Sequence, residues 1–173
     1  MKWILLIIKS INVSSRDRMF IWRNIKSTGA VSLSHSVYLL HDTEDNRVTA
    51  SNIARIVHER KGEILQFFAD TFNGEQEQKL NKLIAEEIIV EIKEFSKECE
   101  DFIADATKRI SNKKFRIFEL EELNDALYKL DKWRIKLIQK HKLGSDKISI
   151  LSEEIGKCKE KLYEFEEKVL QKG

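Results

Sequence analysis

The 173-residue chain contains no proline, six glycines and only two cysteines, Cys99 and Cys158. Two cysteines are too few for the disulfide framework of a small secreted protein, so a reducing, cytoplasmic setting is expected. Long hydrophobic runs are also missing. The opening MKWILLIIK has an apolar run only from Trp3 to Ile8, is closed by Lys9 and lacks a small-residue cleavage site, so it reads as a buried strand and not as a signal peptide. No run approaches the roughly 18 apolar residues of a membrane-spanning helix, and no membrane role is expected. Charge of one sign is scarce too: 31 Lys and Arg against 29 Asp and Glu leave +2, short of the strongly basic signature of a dedicated nucleic-acid binder. His35, His41, His58 and His141 have no ligand spacing with one another or with the cysteines, so neither a metal site nor a cofactor is expected. No catalytic constellation stands out, and the chain is read as a non-enzyme.

What is present is enough apolar residue, 42%, to build a core for one domain or two small ones. The basic excess is local: residues 1–70 carry ten basic and seven acidic side chains, residues 71–173 carry 21 and 22. The expected organisation is an α+β domain over residues 1–72 followed by a three-helix unit over 73–173. Trp3 to Ile11 is a branched apolar stretch that suits a central strand covered on both faces. Ser14, three residues before Asp17, opens a helix with Met19, Trp22 and Ile25 at inward spacing, and Gly29 ends it. Ala30–Leu33 and Val37–Leu40, separated by Ser34, His35 and Ser36, read as a hairpin. A helix over about Asp45–Lys61, with Val48, Ile53, Ile56 and Val57 inward, leads past Gly62 to a fourth strand over Glu63–Phe68. The order βαββαβ is ferredoxin-like. Such a sheet keeps both helices on one side, which favours pairing with a second copy, a homodimer.

After Asn73 and Gly74 no proline interrupts a helix-favouring stretch. From about Glu75 to Ser111, Leu80, Ile84, Ile88, Ile92, Phe95, Cys99, Phe102, Ala106 and Ile110 recur in steps of three and four and fall on one stripe. A second helix from about Glu119 to His141 carries Leu123, Leu127, Leu130 and Leu137. The third repeats Ile148, Leu151, Ile155, Cys158, Leu162, Phe165 and Val169 in steps of three and four, a heptad pattern. The short connections near Asn112 and Gly144 predict antiparallel neighbours, in a coiled-coil-like unit. Both cysteines fall in its core positions, where they pack as small hydrophobes.

Arg16, Arg18, Arg23 and Lys26 make the first helix the candidate nucleic-acid contact: Arg16 and Arg23 lie two helical turns apart, where they can hold phosphates of a nucleic acid such as double-stranded DNA, and the competing account is an ordinary solvated helix face. Ser14, Ser15 and Arg16 cluster at the same helix start, where the dipole favours an oxyanion; the competing account makes Ser14 simply the N-cap. Glu119, Glu121 and Glu122 sit around a helix start, and the dipole alone explains them.

The run Trp22–His41, WRNIKSTGAVSLSHSVYLLH, resembles the N-terminal region of the bacterial chromate-resistance regulators of the ChrB family. There a W-x-L-L strand leads to an Arg-rich helix, then W-R-x-L-K-x-x-G-A and V-Y-L-L. This chain supplies Trp3, Leu5, Leu6, Arg16, Trp22, Arg23, Lys26, Gly29, Ala30, Val37, Tyr38, Leu39 and Leu40. Phe118–Trp133, FELEELNDALYKLDKW, is similar to the family's F-x-E-L-E-E segment and the helix after it. Ser36 and His41 stand where the family commonly has a glycine and a proline. Full-length members carry a further C-terminal chromate-associated domain, for which 173 residues leave no room. The resemblance implies a DNA-binding transcriptional regulator in a chromate or other oxyanion stress response, with the oxyanion as a ligand. The rival readings are a structural or dimerisation module that touches no DNA and, more weakly, a Cas2-like nuclease. The nuclease would need an acidic residue at the end of the first strand, and Ser10 to Asn12 supply none.

Overall fold

The computed structural model describes residues 2–171. Contacts divide the chain into a unit that ends at Glu87 and one that begins at Ile88. The first is α+β and runs β1 (Lys2–Lys9), α1 (Ser15–Lys26), β2 (Val31–Ser34), β3 (Val37–His41), α2 (Glu44–Glu59) and β4 (Glu63–Asp70). The four strands pair in the order β2-β3-β1-β4, antiparallel throughout. The apolar run from Trp3 therefore takes a central place, with β2 and β4 at the edges.

Strand alternation sorts β1 into two faces. Ile4, Leu6 and Ile8 join Ile21 and Ile25 of α1 and Ala50, Ile53 and Val57 of α2 in one buried cluster. On the other face, Leu5 and Ile7 are half-buried and lie in register with Phe67 and Leu65 of β4, both exposed. Trp3, on that same face, is buried and stacks on His41 with ring centroids 4.3 Å apart. The strand ends at Lys9, short of the expected Ile11. A turn closed by Val13 N–H donating to the Ser10 carbonyl at 3.2 Å puts Val13 into the core and leaves Ile11 exposed.

α1 is phased differently from the expectation, and α2 keeps Ile53, Ile56 and Val57 inward but not Val48. Met19 and Trp22 are 48% and 46% exposed, and Ile21 with Ile25 is buried instead. At about 100° per residue, two successive three-residue steps place Met19 about 120° round from Ile25, whereas Ile21 is only about 40° away. Likewise Val48 is exposed and Ala50, Ile53 and Val57 are buried, because five residues separate Val48 from Ile53, about 140° of rotation. Gly62 allows β4 to leave α2 closely: a Cβ there would meet Val57 Cγ1 at 2.8 Å. Gly29 takes φ 83°, a left-handed turn into β2.

α3 (Gly74–Ser111) opens with Asn73 Oδ1 accepting from the Gln76 N–H at 3.0 Å and passes through the division into the second unit. There it is joined by α4 (Ile117–His141) and α5 (Ser145–Leu170). Arg109, late in α3, donates to Glu119, early in α4, while Lys140, late in α4, donates to Glu91 of α3; the two helices therefore run antiparallel. Phe95, Cys99, Phe102 and Ala106 are buried with Leu123, Leu127, Leu130 and Leu137 of α4 and with Leu151, Ile155, Cys158, Leu162 and Phe165 of α5. Among the described residues no helix is long and apolar enough to cross a membrane.

Candidate nucleic-acid interface

α1 starts at a capped turn. The Ser14 hydroxyl oxygen accepts from the Asp17 N–H at 3.1 Å, and its hydrogen goes to Asp17 Oδ2 at 2.6 Å. Both capacities of Ser14 are thus engaged within the cap. Asp17 Oδ1 in turn accepts from Arg60 Nη1 at 2.9 Å. The Ser14 and Arg60 hydrogen bonds hold the Asp17 carboxyl below its ordinary value. Arg60, which caps the C-terminus of α2, lies with its guanidinium 4.3 Å from the centroid of the Phe20 ring.

These residues build a concave surface. Arg16, Asp17, Met19, Phe20, Arg23 and Arg60 line a hollow of about 700 Å³. Arg16 and Arg23 are both exposed, and neither pairs with a carboxylate among the described residues. Three arginines against one aspartate leave this surface cationic, with the half-exposed Phe20 ring among its lining.

The other nominated residues lie elsewhere. Arg18 faces the opposite flank of α1, where its Nη2 donates to Ser15 Oγ at 3.0 Å. Ser15 and Arg16 line different hollows, so the three residues at the helix start do not converge on one point. Lys26 is half-buried and paired with Glu87. Arg60 escaped the sequence analysis because its partner Asp17 is 43 residues away. Its only local signal is its place between the end of α2 and Gly62.

The sequence model of the family described as "Protein ChrB, N-terminal" matches residues 18–173. The chain belongs to that family. No curated protein and no solved structure matches it. The match takes in Arg18, Trp22, Arg23, Lys26 and Arg60, together with all of the helical unit, and begins two residues after Arg16.

Elsewhere, this ChrB-type chain shows no group of three or more His, Cys, Asp or Glu side chains able to hold a metal among the described residues. Cys99 and Cys158 are both fully buried, and Cys158 Sγ lies 3.6 Å from the Cys99 carbonyl oxygen. The neighbouring Cys158 thiol, with burial, holds the Cys99 thiol far above its ordinary value, which keeps it protonated and unreactive. The acidic cluster at the start of α4 has a cause beyond the helix dipole. Glu119 is buried and accepts from Arg109 Nη1 at 2.5 Å, Glu122 accepts from the same atom at 2.8 Å, and Asp105 accepts from Arg109 Nε at 2.8 Å.

Proposed function

We propose that the chain is a non-catalytic, cytoplasmic DNA-binding regulator in a chromate or oxyanion stress response, and that it binds duplex phosphates over α1. The observation that carries this is the hollow that Arg16, Arg23 and Arg60 line together with Phe20. Arg60 is paired with Asp17, but Arg16 and Arg23 form no salt bridge among the described residues, and such guanidinium groups suit bidentate phosphate contact, through which a duplex is chiefly held. Family membership supports the stress-response part of the reading. We read the βαββαβ unit as ferredoxin-like and the helices as coiled-coil-like. Homodimerisation finds support in edge strand β4, whose Leu65 and Phe67 expose apolar surface on the face away from α1 and α2.

The test is fluorescence anisotropy with duplex DNA from upstream of the gene, titrated across a salt series. The wild type forms a complex at low salt. Arg16→Ala with Arg23→Ala reduces the slope of log affinity against log salt by about 2, since each phosphate contact contributes about 0.9. Absence of a complex at low salt, or an unchanged slope in the double variant, would sink the DNA reading and leave the interaction module in its place.

A further inference from the structure

We infer that the hollow on the hairpin side of α1 is a second ligand site, one that takes an organic anion with a carboxylate or sulfonate head on an aromatic body. Its volume is about 370 Å³, within the roughly 300–1,000 Å³ of small-molecule sites. Ile8 and Ile25 line its inner part and are almost wholly buried; Trp22 and Met19, each about half exposed, line it from α1, and His35 lines it from the β2–β3 turn. Met19 and Trp22 are the two residues that periodicity assigned to the core. Their exposure has no packing rationale in this unit, and a bound apolar body gives it one.

Arg18 selects the charge of the ligand. It is the only permanently charged residue lining the hollow, and no carboxylate pairs with it among the described residues. Its one hydrogen bond goes to Ser15 Oγ. Ser15 thereby uses its oxygen as an acceptor and keeps its hydroxyl hydrogen for an incoming anion, so guanidinium and hydroxyl donors stand side by side. Ser10, His35 and Tyr38 add polar atoms to the lining, but the isoleucine, methionine and tryptophan side chains that make up the other half of it would strip hydration from a bare inorganic oxyanion and return no hydrogen bonds. The indole favours a flat ring as the body of the ligand. The two hollows share Met19, but none of Arg16, Arg23 and Arg60 lines this one, so its cation is a different residue from those of the arginine hollow.

The experiment is a titration of the full chain with 1-naphthoate at fixed ionic strength, followed by calorimetry and tryptophan fluorescence, with sodium sulfate as a competing arm. One saturable site is expected, with a fluorescence change that disappears in Trp22→Leu. Arg18→Gln should weaken binding at least about tenfold, the worth of one charge-assisted hydrogen bond. Ser15→Ala, checked for unchanged helicity by circular dichroism, should weaken it several-fold. Arg16→Ala with Arg23→Ala should leave it unchanged, which separates this site from the DNA reading. Non-saturable binding, an unaltered affinity in Arg18→Gln, or displacement of 1-naphthoate by an equal concentration of sulfate would overturn the inference.

Discussion

The two units treat charge and apolar surface in opposite ways. In the helical unit, Arg109 bridges Asp105, Glu119 and Glu122, and Lys140 and His141 both close on Glu91. Most of its apolar stripes are buried, with Ile92, Ile110, Ile148 and Val169 half-buried. In the α+β unit, Arg16, Arg18 and Arg23 have no carboxylate partner among the described residues, and Met19, Phe20 and Trp22 stay about half exposed on the same helix. Cations and aromatics left unmatched on one short helix are poor for stability and well suited to recognition. The contact surface is therefore sought on α1.

The largest effect should come from breaking the helical core. Phe95 is fully buried and meets Trp133 edge-on, with centroids 5.6 Å apart. Phe95→Ala should cost about 3–5 kcal/mol, the usual range for deleting a buried phenyl ring. Hydrogen exchange read by peptide should speed up in α4 and α5 far more than in β1 and β3. An equal rise in both sets would contradict the division of the chain at Glu87.

A smaller effect is expected from pH. Burial alone would raise the Glu91 carboxyl, but hydrogen bonds from His141 and Lys140 outweigh it and hold the group at about 2 against an ordinary 4.5. Since the folded value is depressed, the stabilisation is complete above pH 4.5 and is lost as pH falls toward 2. Its size is at most about 3 kcal/mol. Chemical denaturation at pH 6 and pH 3 should therefore show a loss at the lower pH, and Glu91→Gln should remove that part of the pH dependence while lowering stability at pH 6. A variant as stable as wild type at pH 6 would show the ion pair to be idle.

Legibility in the sequence followed the length of the pattern. Ile148, Leu151, Ile155, Cys158, Leu162, Phe165 and Val169 repeat over several turns, so only one helix face can hold them; the inner five are buried and the two at the ends half-buried. α1 has twelve residues, and Met19, Phe20, Ile21 and Trp22 are consecutive; four adjacent apolar side chains point all round a helix and define no face. The sheet against which α1 packs made the choice, and it chose Ile21 and Ile25. The same limit applied to charge. Arg16 and Arg23, seven apart, were legibly on one side, but the engagement of Lys26 by Glu87 is set by contacts 61 residues apart, and that of Asp17 by Arg60 by contacts 43 apart. No local spacing carries such information.

The smallest predicted effect sharpens the comparison at the point where α1 begins. Ser14→Ala removes the acceptor of the Asp17 N–H and the hydroxyl that donates to the Asp17 carboxylate. Stability should fall by about 1 kcal/mol, as for other lost N-caps. The Asp17 carboxyl should titrate closer to its ordinary value, because the larger of its two hydrogen bonds is gone while that from Arg60 remains. Carbon-detected NMR titration of the Asp17 side chain reads this directly. Arg16 and Arg23 take no part in the cap, so DNA affinity in Ser14→Ala should fall far less than in the double arginine variant. An equal fall would mean that the cap, through Asp17 and Arg60, sets the shape of the arginine hollow, and the contact surface would then extend from α1 to the end of α2.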